Sequence, residues 1–538
     1  MPNSARRDGV TDTEVGAQRE LVDALCRRLG AQRIETHLSF VLLAGERAYK
    51  IKKALRLDFV DFRALPGREF YCREELRLNR RTAPELYLQV LPVTGTPARP
   101  SLGGEGPAIE WALQMRAFDQ EGLWDRLAAR GGLQAAHIDA LVEQLCTLHD
   151  AAAVADAGSD WGRPEQLRAP MSDNLRALDG LCRADDERDV LARLVQWEAQ
   201  AFAALRDTFE RRRREGRVRE AHGDLHLGNV TQFEGRTRLF DCLEFSAELR
   251  WTDVISDLAF MAMDLHAHGL PGLAHRFVNA YVERSGDADG LRVLRYYSVH
   301  RALVRAKVAA LRAAQLGDAA AAESAAAAQA RRRYLQVALR SSAPSTPLLL
   351  LTHGFSGSGK SALTQGLLEL CGALRFRADV ERKRLFGLDA LAVSDAAQKT
   401  RLYSSQASHA TQARLRELAT LALQAGYPVI LDATFLALEP RQQARELAAS
   451  LGVGFAIIDF RAGVDTLRTR VRQRRGDASE ADLAVLEQQL AHAVPLTPQE
   501  LADAFVIDAE PALQAAEPAA QRWAPLLQRL GIGQTSST

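Results

Sequence analysis

Between residues 348 and 508, short, mainly apolar runs recur at 348–352, 374–378, 429–432, 455–459 and 505–508, and longer stretches with apolar residues three and four apart separate them. A strand buried on both faces reads as an unbroken apolar run and a helix shows a 3.6-residue spacing, so this alternation predicts a parallel sheet covered by helices on both faces. The upstream half is patterned differently. Residues 39–53 alternate like strands around a Gly45-Glu46 turn, and residues 68–81 follow helical spacing. Helical spacing then dominates 134–152, 186–214 and 253–340, the last including the alanine-rich stretch 318–331, which favours helix but offers little to pack. Thr11 and Glu14 stand at capping-box spacing ahead of Leu21, Leu25 and Leu29 and predict a helix start. The segment 341–347 carries two prolines among small residues and cannot continue a helix. It is expected to link a domain at 1–340 to a second at 348–538.

A chain of 538 residues exceeds one ordinary core, and 47% hydrophobic with 25% charged residues is a globular composition. The six cysteines form no CxxC pair, which argues against a disulfide framework or a zinc site and suits a reducing compartment. Residues 1–10 hold no apolar leader core, and no run approaches the roughly 18 apolar residues of a membrane span. A cytoplasmic protein without a membrane partner is expected. At a net charge of +1 no overall field recruits nucleic acid, and the basic runs 211–214, with Arg217 and Arg219, and 331–333 are expected to be solvated helix faces.

Gly354, Phe355, Ser356, Gly357, Ser358, Gly359, Lys360 and Ser361 fill GxxxxGK[ST] between an apolar run and a helical pattern that begins at Ala362. In this phosphate-binding loop the glycines let backbone N–H groups turn inward around phosphate, Lys360 spans the β and γ oxygens, and Ser361 ligates Mg²⁺ at the positive end of the helix. A nucleotide-binding α/β domain follows.

A second phosphotransferase signature lies upstream, in the run His222, Gly223, Asp224, Leu225, His226, Leu227, Gly228, Asn229, with Asp241 twelve residues beyond Asn229 at the end of a short strand. Phosphoryl transfer needs a carboxylate beside the acceptor hydroxyl and oxygen ligands that hold Mg²⁺ on the phosphates, and Asp224, Asn229 and Asp241 form such a set at kinase-loop spacing. The arrangement resembles the aminoglycoside phosphotransferase branch of the protein-kinase-like fold, as do Trp251, Asp253 and Asp257 downstream. The sequence departs from that family at Asp241-Cys242-Leu243-Glu244-Phe245, where a glycine is usual. The resemblance implies a two-lobed α+β fold with a largely helical C-lobe, an ATP-contacting lysine on an N-lobe strand and a glutamate on the next helix. Lys50 is preferred to Lys52 and Glu74 to Glu75, and a solvated surface role is the alternative for each. His149 reads as a packed core histidine.

Three features push the downstream half towards a small-substrate kinase. Asp379 and Arg382 follow the second strand as a proton acceptor and an anion clamp for an acceptor, and Asp432 ends a strand beside the phosphates. Arg468, Arg470, Arg472, Arg474 and Arg475 lie on an arginine-dense helix; Arg470 and Arg474, four apart, share a face that can close over a triphosphate, unless these arginines are solvated and paired with Glu480 and Asp482. The segment resembles the polynucleotide-kinase and zeta-toxin group of P-loop kinases. Only Phe376 and Phe386 offer stacking surfaces, so a nucleic-acid acceptor is not supported.

The whole resembles the bacterial bifunctional aminoglycoside phosphotransferase/ATP-binding protein family. That implies an ATP- and Mg²⁺-dependent phosphotransferase with two ATP sites and small-molecule hydroxyl acceptors. The alternative is an N-terminal kinase or pseudokinase regulated by a C-terminal P-loop ATPase switch.

Overall fold

The computed structural model describes residues 10–57, 60–316, 321–343, 345–510 and 517–532, with side chains from residue 15 onward apart from that of Leu57. Two compact units emerge: Met1–Pro170 with Phe209–Met261, and Met171–Thr208 with Ala262–Thr538.

In the first unit a six-stranded antiparallel sheet runs in the order Gln32–Glu35, Ser39–Ala44, Arg47–Lys52, Glu110–Arg116, Tyr87–Thr96, Arg99–Leu102. The expected turn at Gly45 is present, with φ of +58° that a residue without a Cβ adopts freely. Strand alternation sends Phe40, Leu42 and Ile51 to one face, where Leu21, Val22 and Leu25 of helix Val10–Leu29 cover them. Lys50 and Lys52 share the opposite face, towards helix Leu65–Asn79. Helix Val10–Leu29 already contains Thr11, so the cap expected there is not the helix start; the side chains of Thr11 and Glu14 lie outside the described residues. Residues 318–320 of the alanine-rich stretch and Pro344 of the expected linker lie outside them too.

The basic run 211–214 is not uniformly a solvated face. Arg212 is fully buried and holds Asp253 in a bidentate pair, Nε to Oδ2 at 2.7 Å and Nη2 to Oδ1 at 2.9 Å, while Arg213 donates to the Trp161 and Ser159 carbonyls. Arg214, exposed to solvent, and Arg211, paired with Glu215 at the surface, match the expectation. Successive residues of helix Asp185–Arg214 point about 100° apart, so neighbouring arginines face different surroundings.

The second unit contains the five predicted apolar runs as a five-stranded parallel sheet, in the order Leu374–Arg377, Val429–Asp432, Leu348–His353, Gly454–Arg461, Ala504–Asp508. Leu350, Ile430 and Ile458 from three strands pack with Leu363 and Leu367 of helix Lys360–Cys371 and with the fully buried Trp523, Leu526 and Leu527 of helix Ala519–Arg529. The fold is a P-loop NTPase fold. Helices Pro271–Ser285, Leu291–Leu316 and Ala321–Ser342 belong to the same compact unit as this sheet. Tyr334 there donates to Asp264 at 2.7 Å, and Arg331 of the second basic run is anchored on the buried Glu187 at 2.9 Å. Among the described residues no helix is long and apolar enough to cross a membrane.

The Arg212–Asp253 pair generates a stability test. Asp253→Ala removes the bidentate carboxylate from a fully buried guanidinium and is expected to cost about 3–5 kcal/mol, whereas Arg211→Ala, at a surface pair, costs about 0–1 kcal/mol. Urea unfolding of the full chain, followed by the fluorescence of the first unit's tryptophans, measures both.

Candidate active sites

At the first site the charges are held in a buried cluster. Lys50 Nζ donates to Glu75 Oε1 at 2.7 Å and to Asp241 Oδ1 at 2.6 Å, and Lys52 Nζ donates to Glu75 Oε2 and Glu244 Oε1. Glu74, placed first on the sequence, is not the lysine's partner: it binds Arg77 and Arg250, one helical step around from Glu75. Both lysines therefore join the cluster through Glu75, with Lys50 the one that also reaches Asp241. Burial penalises every charge here, yet the Asp241 and Glu75 carboxylates raise the Lys50 ammonium well above its ordinary value. Glu75 goes the other way: burial pushes it up, but Lys50 and Lys52 together hold it below the usual carboxylate range. Glu244 is raised, by burial first, despite Lys52.

The loop bearing Asp241 is fastened to the same elements. Asp241 has φ of +60°, a left-handed conformation in which aspartate is tolerated better than most residues. Its N–H donates to the Tyr87 hydroxyl at 3.1 Å, and the next N–H, of Cys242, to Asn79 Oδ1 at 2.9 Å. The absent glycine after Asp241 thus has a structural counterpart: the positive φ falls on the aspartate itself, and Glu244 anchors the loop on Lys52.

The His222–Asn229 run is held from below by Asp257, which is fully buried. Its Oδ2 accepts the His222 N–H at 2.8 Å and lies 3.1 Å from His149 Nε2, and its Oδ1 accepts the Gly223 N–H at 2.9 Å. Gly223 has φ of +83°, with Leu243 and Arg250 close to where a Cβ would stand. Asn229 Nδ2 donates to both the carbonyl and the Oδ2 of Asp224, at 2.8 and 3.0 Å, so the two residues share one loop conformation. The Asp224 carboxylate remains 34% exposed, open to a ligand.

In the second unit the loop Gly354–Ser361 joins the central strand to helix Lys360–Cys371. Gly354 has φ of +139° and an added Cβ would stand 2.6 Å from the Phe460 carbonyl; Gly359 enters the helix at φ of +83°. Lys360 Nζ folds back on the loop, donating to the Gly354 and Phe355 carbonyls at 3.0 and 2.8 Å, and Ser361 Oγ donates to Asp432 Oδ2 at 2.6 Å. Burial pulls Lys360 down to about 8, which Asp432 and Asp379 offset only in part. The loop borders a cleft of about 530 Å³ that brings together Asp379, Arg382, Asp432, Arg470 and Arg474. Arg382 donates to Asp379 at 2.7 Å and lies over the Tyr403 ring at 5.0 Å. Arg470 is on helix Val464–Gln473, whereas Arg474 has left it, so the two arginines meet the cleft from a helix and from the turn beyond. Arg468 faces away and pairs with Glu487. The expected partners Glu480 and Asp482 are engaged elsewhere, by the Ser394 and Val485 N–H groups.

Four cleft features carried no local sequence signal. Gln489 clamps the phosphate loop, accepting the Ser356 N–H and donating to Ser356 Oγ, both at 3.0 Å, across 133 residues. Arg377 bonds Asp477 at 2.6 Å, and both line the cleft with Tyr403. Only the fold brings them there.

Residues 72–297 match the phosphotransferase enzyme family, and residues 349–496 match an AAA domain. An uncharacterized protein of Mycobacterium tuberculosis is 33% identical over 449 residues, covering 83% of this chain and 87% of that protein; one of Mycobacterium bovis matches equally. Among solved structures, a choline/ethanolamine kinase family protein from Mesorhizobium loti is 14% identical, over 60% of this chain and 99% of that one, with a TM-score of 0.35. A gluconokinase from Sinorhizobium meliloti is 21% identical, over 36% of this chain and 99% of that one, with a TM-score of 0.25. A phosphotransferase-family domain followed by a P-loop kinase domain defines an ATP-using kinase. The chain belongs to the family of these mycobacterial proteins, and it joins an aminoglycoside-phosphotransferase-like domain to a P-loop kinase domain.

Asp257 ties loop geometry to pH. Burial alone would raise it, but the His149 and His222 contacts bring it from 3.8 down to about 2. A depressed carboxylate stabilises the fold above its unfolded value and loses that contribution as pH falls through the folded one, here between about pH 4 and 2, on the order of 2–3 kcal/mol. Asp257→Asn is expected to be less stable than wild type at pH 5, with the difference shrinking towards pH 2, as read from urea midpoints.

Proposed function

We propose that the chain carries two ATP sites, each transferring the γ-phosphoryl group to a hydroxyl of a small-molecule acceptor. The observation that supports this most directly is the presence of two phosphate-site lysines, Lys50 and Lys360, each beside its own carboxylate-bearing loop, with no residue shared. We further assign the catalytic domains to 1–340 and 348–538, joined by 341–347.

At the first site Lys50, held by Glu75, steadies the nucleotide phosphates, and Asp224 takes the proton of the acceptor hydroxyl as its oxygen attacks phosphorus. Asn229 and Asp241 suit Mg²⁺: both present hard oxygens, Asn229 turns its amide nitrogen to Asp224, and Asp241 keeps 39% of its side chain exposed beyond Lys50. At the second site the Ser361 hydroxyl beside Asp432, at the start of a helix, suits the same ion. Held at either place, Mg²⁺ would neutralise charge on the phosphates. Lys360 and the loop N–H groups of Phe355, Ser356, Gly357, Ser358 and Gly359 cradle the phosphates, with Arg470 and Arg474 above them. Asp379 serves as proton acceptor and Arg382 as anion clamp. A cleft of about 530 Å³ favours a small acceptor there.

The test is ATP consumption by the full chain against pooled sugars, amino alcohols, aminoglycosides and nucleosides. Asp224→Asn is expected to lower one acceptor-dependent activity by about 10²- to 10⁴-fold with ATP affinity unchanged, Asp241→Asn to weaken Mg²⁺-dependent nucleotide binding, and Lys360→Ala and Asp379→Ala to remove a different acceptor's turnover. Loss of both activities through either Asp224→Asn or Lys360→Ala alone refutes independent sites. Acceptor-independent hydrolysis that survives Asp379→Ala instead supports a regulatory ATPase.

Lys360 adds a pH signature. Near pH 8.5 a lysine lowered to about 8 is largely neutral, and phosphate beside it favours the ammonium, so ATP binding is expected to take up protons above pH 8 and few at pH 6.5. Calorimetry in buffers of different ionisation enthalpy reads this directly, and Lys360→Ala should abolish it.

A further inference from the structure

Helix Pro271–Ser285 falls inside the segment matched to the phosphotransferase family, yet it lies along the P-loop sheet of its own compact unit. Its contacts follow helical spacing. His275 Nδ1 is 2.8 Å from the Glu369 carbonyl, Arg276 pairs with Glu369 at 2.8 Å, Asn279 Oδ1 accepts the Arg375 N–H at 2.7 Å, and the Glu283 carboxylate approaches Arg377 at 3.7 Å. Residues four apart share a helix face, so one polar stripe runs from the end of the phosphate-loop helix to the cleft. Asn279 also gives the edge strand Leu374–Arg377 a partner for an N–H that no further strand takes up.

At the cleft end of the stripe stands Arg377. It is the last residue of the edge strand and lies in register with Asp432, the residue that holds Ser361. Neighbouring strands are about 4.8 Å apart, so Arg377 borders the place where phosphate and the loop meet. Two carboxylates hold it, Asp477 at 2.6 Å and Glu283 at 3.7 Å, and Glu283 Oε2 is buried with no hydrogen-bond partner among the described residues. Burial lowers the basicity of Arg377, but Glu283, Asp432 and Asp477 more than restore it.

We propose that Arg377 binds the terminal phosphoryl group of the nucleotide at the second site, and that Glu283 is its positioning residue, supplied by the phosphotransferase-family segment. The guanidinium adds a second cation to Lys360 where charge is transferred, and a carboxylate on either side keeps its plane from swinging into solvent. The second site is therefore complete only with a helix that precedes the P-loop domain in sequence. This rests on the P-loop cleft being an ATP site.

The test uses the full chain and reads the two sites separately, by hydrogen exchange of peptides spanning 354–361 and 222–229 titrated with ATP or ADP in Mg²⁺. Arg377→Ala is expected to lower the preference for ATP over ADP at 354–361 about tenfold, and Glu283→Gln about three- to tenfold, as for loss of a charge-assisted contact. Arg377→Lys, which keeps the charge but cannot span two carboxylates, should fall in the same range and serves if Glu283→Gln is unstable. In the double variant Glu283→Gln with Arg377→Ala no further loss is expected. Arg276→Ala, at the same helix contact but away from the cleft, should leave the preference unchanged. An unaltered preference in the Arg377 variants, or an equal loss in Arg276→Ala, overturns the proposal. Absence of ATP protection at 354–361 in the wild type overturns the reading of the site itself.

Discussion

Glu75 has no access to water, and each of its two oxygens rests on a lysine. A carboxylate in that position is tenable only while both cations stay, because removing either leaves a buried charge uncompensated. The geometry of the first site follows from this requirement. Lys50 and Lys52 must point the same way from their strand, Glu75 must face them from its helix, and the fourth and fifth members, Asp241 and Glu244, bring in the loop that follows the short strand ending at Leu239. The strand, the helix and the loop are distant in sequence but have little freedom to move apart, so Lys50 and Asp241 end up a fixed distance from one another.

The second site reaches preorganisation by another route. Parallel strands all deliver their C-terminal ends to one edge, and Arg377, Asp432 and the phosphate loop occupy adjacent ends there. The loop is shaped by backbone conformations rather than by buried charge: glycines at positive φ, a lysine folded onto carbonyls, and the Gln489 clamp on Ser356. Phe355 packs with Leu467, Val471 and Leu486, so the loop tip shares a small apolar cluster with helix Val464–Gln473, which carries Arg470, and with helix Leu483–His492. Movement of those helices cannot leave the loop undisturbed.

Division into compact units does not fall at the proline-rich segment. Helices of residues 262–340 group with the P-loop sheet, while the run 222–229 groups with the antiparallel sheet. A family boundary in sequence and a packing boundary in space answer different questions. The first marks where one ancestral pattern stops, and the second where few contacts cross. The polar stripe of Pro271–Ser285 lies between those two boundaries, which gives a physical reason for the two kinase domains to stay on one polypeptide.

Local patterns were enough for whatever is itself local. The phosphate loop is a run of eight residues whose conformation depends on its own glycines, Asp224 and Asn229 share one turn, and five short, mainly apolar runs became five parallel strands, the inner ones apolar because both their faces are buried. The same reading misjudged Glu74 against Glu75 and the solvation of Arg212. Adjacent helical residues differ by about 100° in direction, and which of them meets a partner is settled by how the helix rolls on its neighbours. Nor did any spacing announce Gln489 on Ser356, Glu244 on Lys52 or Glu283 near Arg377, each separated by more than ninety residues. Such contacts are fixed by packing, since a buried charge or amide must find whichever complementary group the tertiary fold places within reach.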